Sequence, residues 1–322
     1  MKPFDYYAPT SLNEALGLLA EQGGRARALA GGTDLLLKMR AGRLAPGCLI
    51  NIKRLPELRG LSYDETQGLR LGALTTVAEI MTSPEVRSRY PALAHAAATM
   101  ASVQIRNLAT IGGNLCNAAP SADLAPPLIA LGAQVHIAGP RGERSVALED
   151  FFIGPGQTVL ADDELLIGVT VPPPEVGLTA VYLKHTPREA MDIAIVGVAA
   201  AVAWSDGVCA SARIVLGAVA PTPLVAQEAG EALIGRPLEE KHIAEAARLA
   251  AQAARPIDDV RASAWYRREM VEVLVRWALG AINGGFTPRP NPPPQKGEGA
   301  IPSSWMGEGQ GGGDLPPQER VR

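Results

Sequence analysis

Two glycine pairs are the residues best placed to do chemistry, each following a short apolar stretch and preceding polar donors. The first lies in Ala30-Gly31-Gly32-Thr33-Asp34-Leu35-Leu36. The second lies in Thr110-Ile111-Gly112-Gly113-Asn114-Leu115-Cys116-Asn117, with Asp123 following. Glycine has no Cβ, so its backbone N–H can approach a ligand closely and its φ can turn positive. Successive N–H groups pointing into one concavity bind an anion. Two such nests suit a diphosphate, as in a dinucleotide. Neither motif reads G-x-G-x-x-G after a strand or G-x-x-x-x-G-K-[ST], so the Rossmann and P-loop readings both fail. The plain alternative for each pair is an ordinary glycine turn.

Two longer stretches carry a family resemblance: Ala28 to Arg40, ALAGGTDLLLKMR, and Ala101 to Asp123, ASVQIRNLATIGGNLCNAAPSAD. They resemble the FAD-binding medium subunit of molybdenum hydroxylases, the group that includes aerobic carbon monoxide dehydrogenase and the xanthine dehydrogenases. The resemblance runs from about Pro3 to about Asn283 and rests on both glycine motifs, the N-x-x-N-A-x-P-x-x-D continuation and the order of parts. It implies an α+β fold, with a two-lobed PCMH-type FAD-binding domain followed by a small α+β domain like the carbon monoxide dehydrogenase flavoprotein C-terminus. It also implies FAD held by Ala30, Gly31, Gly32, Thr33, Asp34 and Leu35, and by Thr110, Ile111, Gly112, Gly113, Asn114 and Asn117.

In this reading the N–H groups of Gly31, Gly32, Thr33 and Asp34 cradle the diphosphate from one side. Gly112, Gly113 and Asn114 meet it from the other, and a branched side chain at Gly113 is expected to abolish binding. Asp123 matches an aspartate that accepts a hydrogen bond from the ligand; otherwise it is a turn or helix-start residue. Leu166 and Lys184 match positions lining the isoalloxazine edge. A cation there would stabilise a reduced anionic flavin and raise its potential; the alternative for Lys184 is a solvated surface lysine. Arg106 and Asn107 are expected only to position the second motif. With no histidine at either motif, and Cys116 read as a small buried residue, the FAD is expected to be non-covalent.

No Ser/His/Asp or Cys/His set and no paired carboxylates stand out, so the chain is not expected to bind an organic substrate. The resemblance implies an electron relay. A [2Fe-2S] small subunit supplies electrons, a molybdenum-binding large subunit holds the substrate, and NAD, quinone or oxygen accepts. Two other readings stay open: a stand-alone flavin oxidase of the same broad fold, and a non-catalytic subunit that binds FAD only to hold an assembly together.

Composition sets outer bounds. The chain has 322 residues, 47% hydrophobic and 20% charged, which suits two folded cores. A net charge of −3 points neither to nucleic acid nor to an anionic membrane. No apolar run is long enough for a transmembrane helix and the first residues lack a signal core, so a cytoplasmic location is the default. Cys48, Cys116 and Cys209 are far apart, and His95, His136, His185 and His242 equally scattered, so no metal is expected.

The elements that must position these residues follow from pattern. Residues 11–22 read as a helix with a Ser11/Glu14 capping box, and Arg27–Ala30 as a strand into the first motif. Thr33 is the expected N-cap of a helix over Asp34–Arg40. Gly47–Asn51 reads as a strand, and Pro56 and Gly60 divide the flavin domain into lobes of about 1–57 and 58–175. Further on come a strand at Leu69–Ala73, a helix capped by Thr76 and Glu79, and a buried helix over Pro91–Met100. A hairpin spans Gln134–Ala138 and Arg144–Ala147 around Gly139 to Gly142, and a strand runs over Leu165–Val171. Pro172-Pro173-Pro174 cannot continue a ladder and marks the domain boundary.

The second domain, about 178–283, reads as strands Val181–His185, Ile195–Trp204 and Val208–Gly217. Helices over Pro223–Ile234, Glu239–Ala254 and Ser263–Ala281 follow. In the last helix Tyr266, Met270, Val273, Leu274, Trp277 and Ala281 are the expected buried face. Asn283 to Arg322 holds seventeen Gly and Pro and is expected to be a disordered tail, dispensable for fold and flavin.

Overall fold

In the computed structural model, residues 1–188 and 191–284 are described. The first lobe is built from β1 (Asp5–Tyr7), α1 (Leu12–Gln22), β2 (Ala26–Leu29), α2 (Leu35–Arg40) and β3 (Cys48–Asn51). β1 and β2 both pair in parallel with β3. The Ser11 hydroxyl accepts from Glu14 N–H, while the Glu14 carboxylate accepts from Thr10 N–H at 2.8 Å, one residue before the box as read from sequence. The expected Thr33 cap does not form. Asp34 precedes α2 already in helical geometry (φ −96°, ψ −45°) and no side chain caps the helix. Capping needs an extended residue at that point.

The second lobe runs through β4 (Leu61–Asp64), β5 (Gly68–Gly72), α3 (Val77–Thr82), α4 (Pro84–Arg89), α5 (Pro91–Thr99), α6 (Val103–Arg106), α7 (Ile111–Asn117) and α8 (Ala125–Ala130). Then come β6 (Gln134–Gly139), β7 (Gly142–Ala147), β8 (Phe152–Gly154), β9 (Gln157–Thr158) and β10 (Leu165–Val171). Five strands form an antiparallel sheet in the order β4-β5-β10-β6-β7. Its apolar face (Leu69, Leu71, Val135, Val169) packs against Ile80, Leu93 and Leu115 of the helices. The Thr76/Glu79 capping box is complete. Gly139 and Gly142 close the expected hairpin around Pro140-Arg141. His136 bridges three strands, reaching Ser145 on one side and Thr170 on the other. Buried Tyr90 donates its hydroxyl to Pro172 O at 2.9 Å, anchoring the proline run where β10 ends.

The remaining elements are β11 (Leu178–His185), β12 (Val196–Ser205), β13 (Val208–Gly217), β14 (Leu224–Val225), α9 (Gln227–Glu231), α10 (Glu240–Ala253) and α11 (Ala264–Ile282). The four strands form an antiparallel sheet in chain order. β12 reads as a nearly continuous apolar run because both its faces are covered. Val198, Ala200 and Val202 pack with α10 and α11, while Ala199 and Ala201 join the core of the second lobe. The last sheet is therefore shared between two cores.

Three expectations change. Pro223–Ile234 is not one helix: Leu224–Val225 pairs with β13 and only Gln227–Glu231 is α-helical. The buried face of α11 is rotated from the expected one, to Arg267, Val271, Leu274, Val275, Ala278, Leu279 and Ile282. A buried arginine sets that face. Arg267 donates to Ile195 O and Ala218 O and pairs with Asp259 at 2.7 Å. The second glycine motif is neither an open nest nor a turn but the helix α7 with its Thr110 cap. The expected tail, 284–322, lies outside the described residues apart from Gly284. Among the described residues no helix is long and apolar enough to cross a membrane.

Candidate functional site

The first motif follows the carboxyl end of β2, in a parallel sheet, which is where open parallel sheets present ligand sites. Gly32 takes φ +77°, which turns the chain back into α2. The N–H groups of Gly31, Gly32, Thr33, Asp34 and Leu35 find no backbone acceptor among the described residues. They make one run of consecutive free donors, and Gly31 to Thr33 are half-buried. A run of free donors at the start of a helix is what an anion nest requires. Gly31 is required by a close approach: a Cβ there would stand 2.0 Å from Leu108 O. The first motif thus lies directly on the chain that leads into the second.

The second motif behaves differently. Ile111 N–H donates to Thr75 O and Gly112 N–H to Ala73 O, both at 2.9 Å. Gly113 N–H donates to the Thr110 hydroxyl at 3.1 Å, and Asn114 N–H to Thr110 O at 2.9 Å. The backbone donors expected to face a diphosphate are all spent inside the protein. Thr110, the N-cap of α7, takes the last two of these donors. Gly112 is present because helix α7 touches the turn after β5; a Cβ would stand 2.8 Å from Ala73 O. Gly113 has only the Thr110 hydroxyl near its missing Cβ, at 3.0 Å.

What α7 offers is side chains. The Asn114 amide oxygen is buried without a partner, an acceptor awaiting a donor. Asn117 Oδ1 accepts from Lys38 Nζ of α2 at 2.5 Å, tying the two motifs together. Cys116 is accessible rather than buried as expected, yet burial among surrounding atoms pushes its thiol up to about 12. The thiol stays protonated near neutrality, so it is a poor nucleophile. Arg106 holds the turn before α6, donating to Met100 O and to Ala101 O, where Ala101 takes φ 45°.

Asp123 and Lys184, placed separately by the sequence reading, meet. Lys184 Nζ lies 2.9 Å from Asp123 Oδ2, and both side chains are more than nine-tenths buried. Lys184 also donates to Thr99 O at 3.3 Å. Lys184 is therefore no solvated surface lysine. The other Asp123 oxygen accepts from the Tyr182 hydroxyl at 2.9 Å, a residue the sequence reading missed. The signal that could have found it is strand periodicity: Tyr182 and Lys184 stand two apart and so share one face of β11. Burial pushes the Asp123 carboxyl up, against the Lys184 charge and the two donated hydrogen bonds. Burial, then the Asp123 charge, keeps the Tyr182 phenol well above its ordinary value, so it remains a donor. Leu166 lies in β10, 4% exposed and part of the main core, near a bulge between Leu166 and Gly168. β10 reaches the second motif through the backbone: Ala73 N–H donates to Ile167 O.

Comparison with known proteins bears on this arrangement. Residues 2–174 match a family model described as the FAD binding domain in molybdopterin dehydrogenase, and residues 181–282 match the CO dehydrogenase flavoprotein C-terminal domain. The carbon monoxide dehydrogenase medium chain of Hydrogenophaga pseudoflava is 36% identical over 278 residues, covering 86% of this chain and 96% of that one. The xanthine dehydrogenase FAD-binding subunit of Escherichia coli O157:H7 is 34% identical over 272 residues, covering 84% and 93%. Among solved structures, carbon monoxide dehydrogenase from H. pseudoflava lacking the Mo-pyranopterin moiety superposes with a TM-score of 0.85 at 36% identity. That match covers 89% of this chain and 100% of the other.

Proposed function

The chain belongs to the FAD-binding subunits of the molybdopterin dehydrogenases, and from that premise we propose that it relays electrons from iron–sulfur clusters to an external acceptor. It is an FAD-binding oxidoreductase subunit of the medium-chain type found in multi-subunit dehydrogenases. The observation that carries the reading is the run of free backbone donors from Gly31 to Leu35 beside the second motif. The donors of Gly31, Gly32, Thr33, Asp34 and Leu35 fit a diphosphate, and the orphaned Asn114 oxygen fits a ligand donor. Ala30, Thr110, Ile111, Gly112, Gly113 and Asn117 frame that nest, while Asp123, Leu166 and Lys184 serve the flavin end. Bound FAD supplies the redox chemistry; the chain supplies orientation and charge.

In this reading residues 1–175 form the FAD-binding domain and 178–283 the C-terminal domain. The partners are a [2Fe-2S] small subunit and a molybdenum-binding large subunit in the cytoplasm, with NAD, quinone or oxygen as acceptor. The test is rapid-reaction spectroscopy of the purified complex. Substrate should reduce the flavin at least as fast as steady-state turnover, and the isolated FAD-loaded chain should oxidise no aldehyde, purine or carbon monoxide. Turnover by the isolated chain would make it a self-sufficient flavoenzyme. Flavin that never becomes reduced in the complex would make it an assembly subunit.

A further inference from the structure

We propose that Tyr182 is a positioning residue of the flavin site, fixing the Asp123 carboxylate opposite Lys184 through its hydroxyl. This rests on the reading that Asp123 and Lys184 serve FAD. Tyr182 is 2% exposed and its hydroxyl donates to Asp123 Oδ1, leaving Oδ2 for Lys184. A carboxylate held by one donor on each oxygen can neither rotate nor slide along its partner. With Lys184 alone, it could turn about its χ2 and keep a single charged contact.

The surroundings are shaped for this phenol. Gly197 lies across from Lys184 in the β11–β12 ladder. A Cβ on Gly197 would stand 3.0 Å from the Tyr182 hydroxyl and 3.4 Å from its ring. Its bare Cα leaves the lane in which the ring lies. Gly217, paired with Gly197, similarly leaves room for Pro126 at 3.0 Å, in the helix that follows Asp123. Gly217 thus lets helix α8, and with it Asp123, settle close to the sheet that carries Tyr182 and Lys184. The triad joins positions 59 and 61 residues apart, so the last sheet reaches into the flavin half through these contacts.

Packing needs only the ring; positioning needs the hydroxyl. Tyr182→Phe separates them, and an Asp123→Asn background shows whether the hydroxyl acts through Asp123. Both variants and their combination are made in the full chain, assembled with its co-expressed partners. FAD affinity of the apoprotein and the midpoint potential of the bound flavin are then measured. Tyr182→Phe should weaken FAD binding about tenfold, on the scale of one hydrogen bond to a charged group. It should also move the potential to a more negative value, because a carboxylate stripped of a donor concentrates its charge. Added to Asp123→Asn, it should change neither quantity further.

Wild-type affinity and potential in Tyr182→Phe would overturn the proposal, as would an effect undiminished in the Asp123→Asn background. Should Tyr182→Phe fail to fold, Gly197→Ala crowds the hydroxyl without removing it and should shift both quantities the same way; no shift overturns the proposal equally. A wild-type chain without FAD affinity would sink the flavin reading and this proposal together.

Discussion

Gly31 and Leu108 touch backbone to backbone, so closely that a single Cβ on Gly31 would fall 2.0 Å from the Leu108 carbonyl oxygen. This contact sets the free-donor loop against the chain entering α7. Gly31→Ala must therefore push the loop off its support. It should reduce FAD content severely, measured as bound flavin per chain after gel filtration. Gly113→Ala meets only the Thr110 hydroxyl, 3.0 Å away, and should retain most of its flavin. Equal losses in the two variants would contradict the distinction between a free-donor loop and a packed helix start.

Thr110 caps α7 by accepting from Gly113 N–H. Thr110→Ala should cost about 1 kcal/mol, the usual worth of a threonine cap. Thr110→Ser should recover most of that. Urea unfolding of the apoprotein is the measurement, and a Thr110→Ala midpoint equal to wild type would show that the cap contributes nothing.

The Asp123–Lys184 pair is buried on both sides. Removing one member leaves the other charged and unpaired in the interior, which typically costs about 3–5 kcal/mol. Asp123→Ala should therefore destabilise the FAD-free protein by that order. Lys184→Met combined with Asp123→Leu should be milder than Asp123→Ala alone, since no unpaired charge remains. Additive losses in the double variant would mean the two residues act independently.

Arg267 and Asp259 make the C-terminal helices sensitive to acid. Burial pushes the Asp259 carboxyl up, but N–H bonds from Arg261 and Ala262, with the Arg267 hydrogen bond and charge, outweigh it and bring it to about 2. A folded-state value below the unfolded one of about 3.9 gives stability that is complete above that value and is lost as pH falls towards 2. Asp259→Asn should lower the melting temperature at pH 7, and the difference from wild type should shrink between pH 4 and pH 2. A constant difference across that range would show that the carboxylate's charge is not what holds Arg267.

Local features were legible in the sequence because their causes are local. The Thr76/Glu79 capping box, the hairpin at Gly139 and Gly142 and the strands around Ser205-Asp206-Gly207 need only neighbours in the chain. The face of α11 was misplaced because an arginine counts as solvent-facing until its partners are known. Those partners, Ile195 O, Ala218 O and Asp259, lie outside the helix.

The two glycine motifs show where sequence stops. Their residues, with the Asn114 to Asp123 continuation, carry the resemblance to the FAD-binding subunits, and the family match agrees with it. Nothing in that spacing distinguishes Gly31–Gly32, whose N–H groups are free, from Gly112–Gly113, whose N–H groups are paired. The difference is decided by Ala73, which packing brings to within hydrogen-bond reach of α7, and by the Thr110 side chain turning back on its own helix. The same holds for Asp123, whose partners Tyr182 and Lys184 arrive from another sheet. A backbone donor is available only if no acceptor lies within about 3 Å, and a buried charge is stable only beside its counter-charge. Apart from the local Thr110 cap, both conditions are set by which distant segments share a core, so only the tertiary structure decided them at Gly112 and at Asp123.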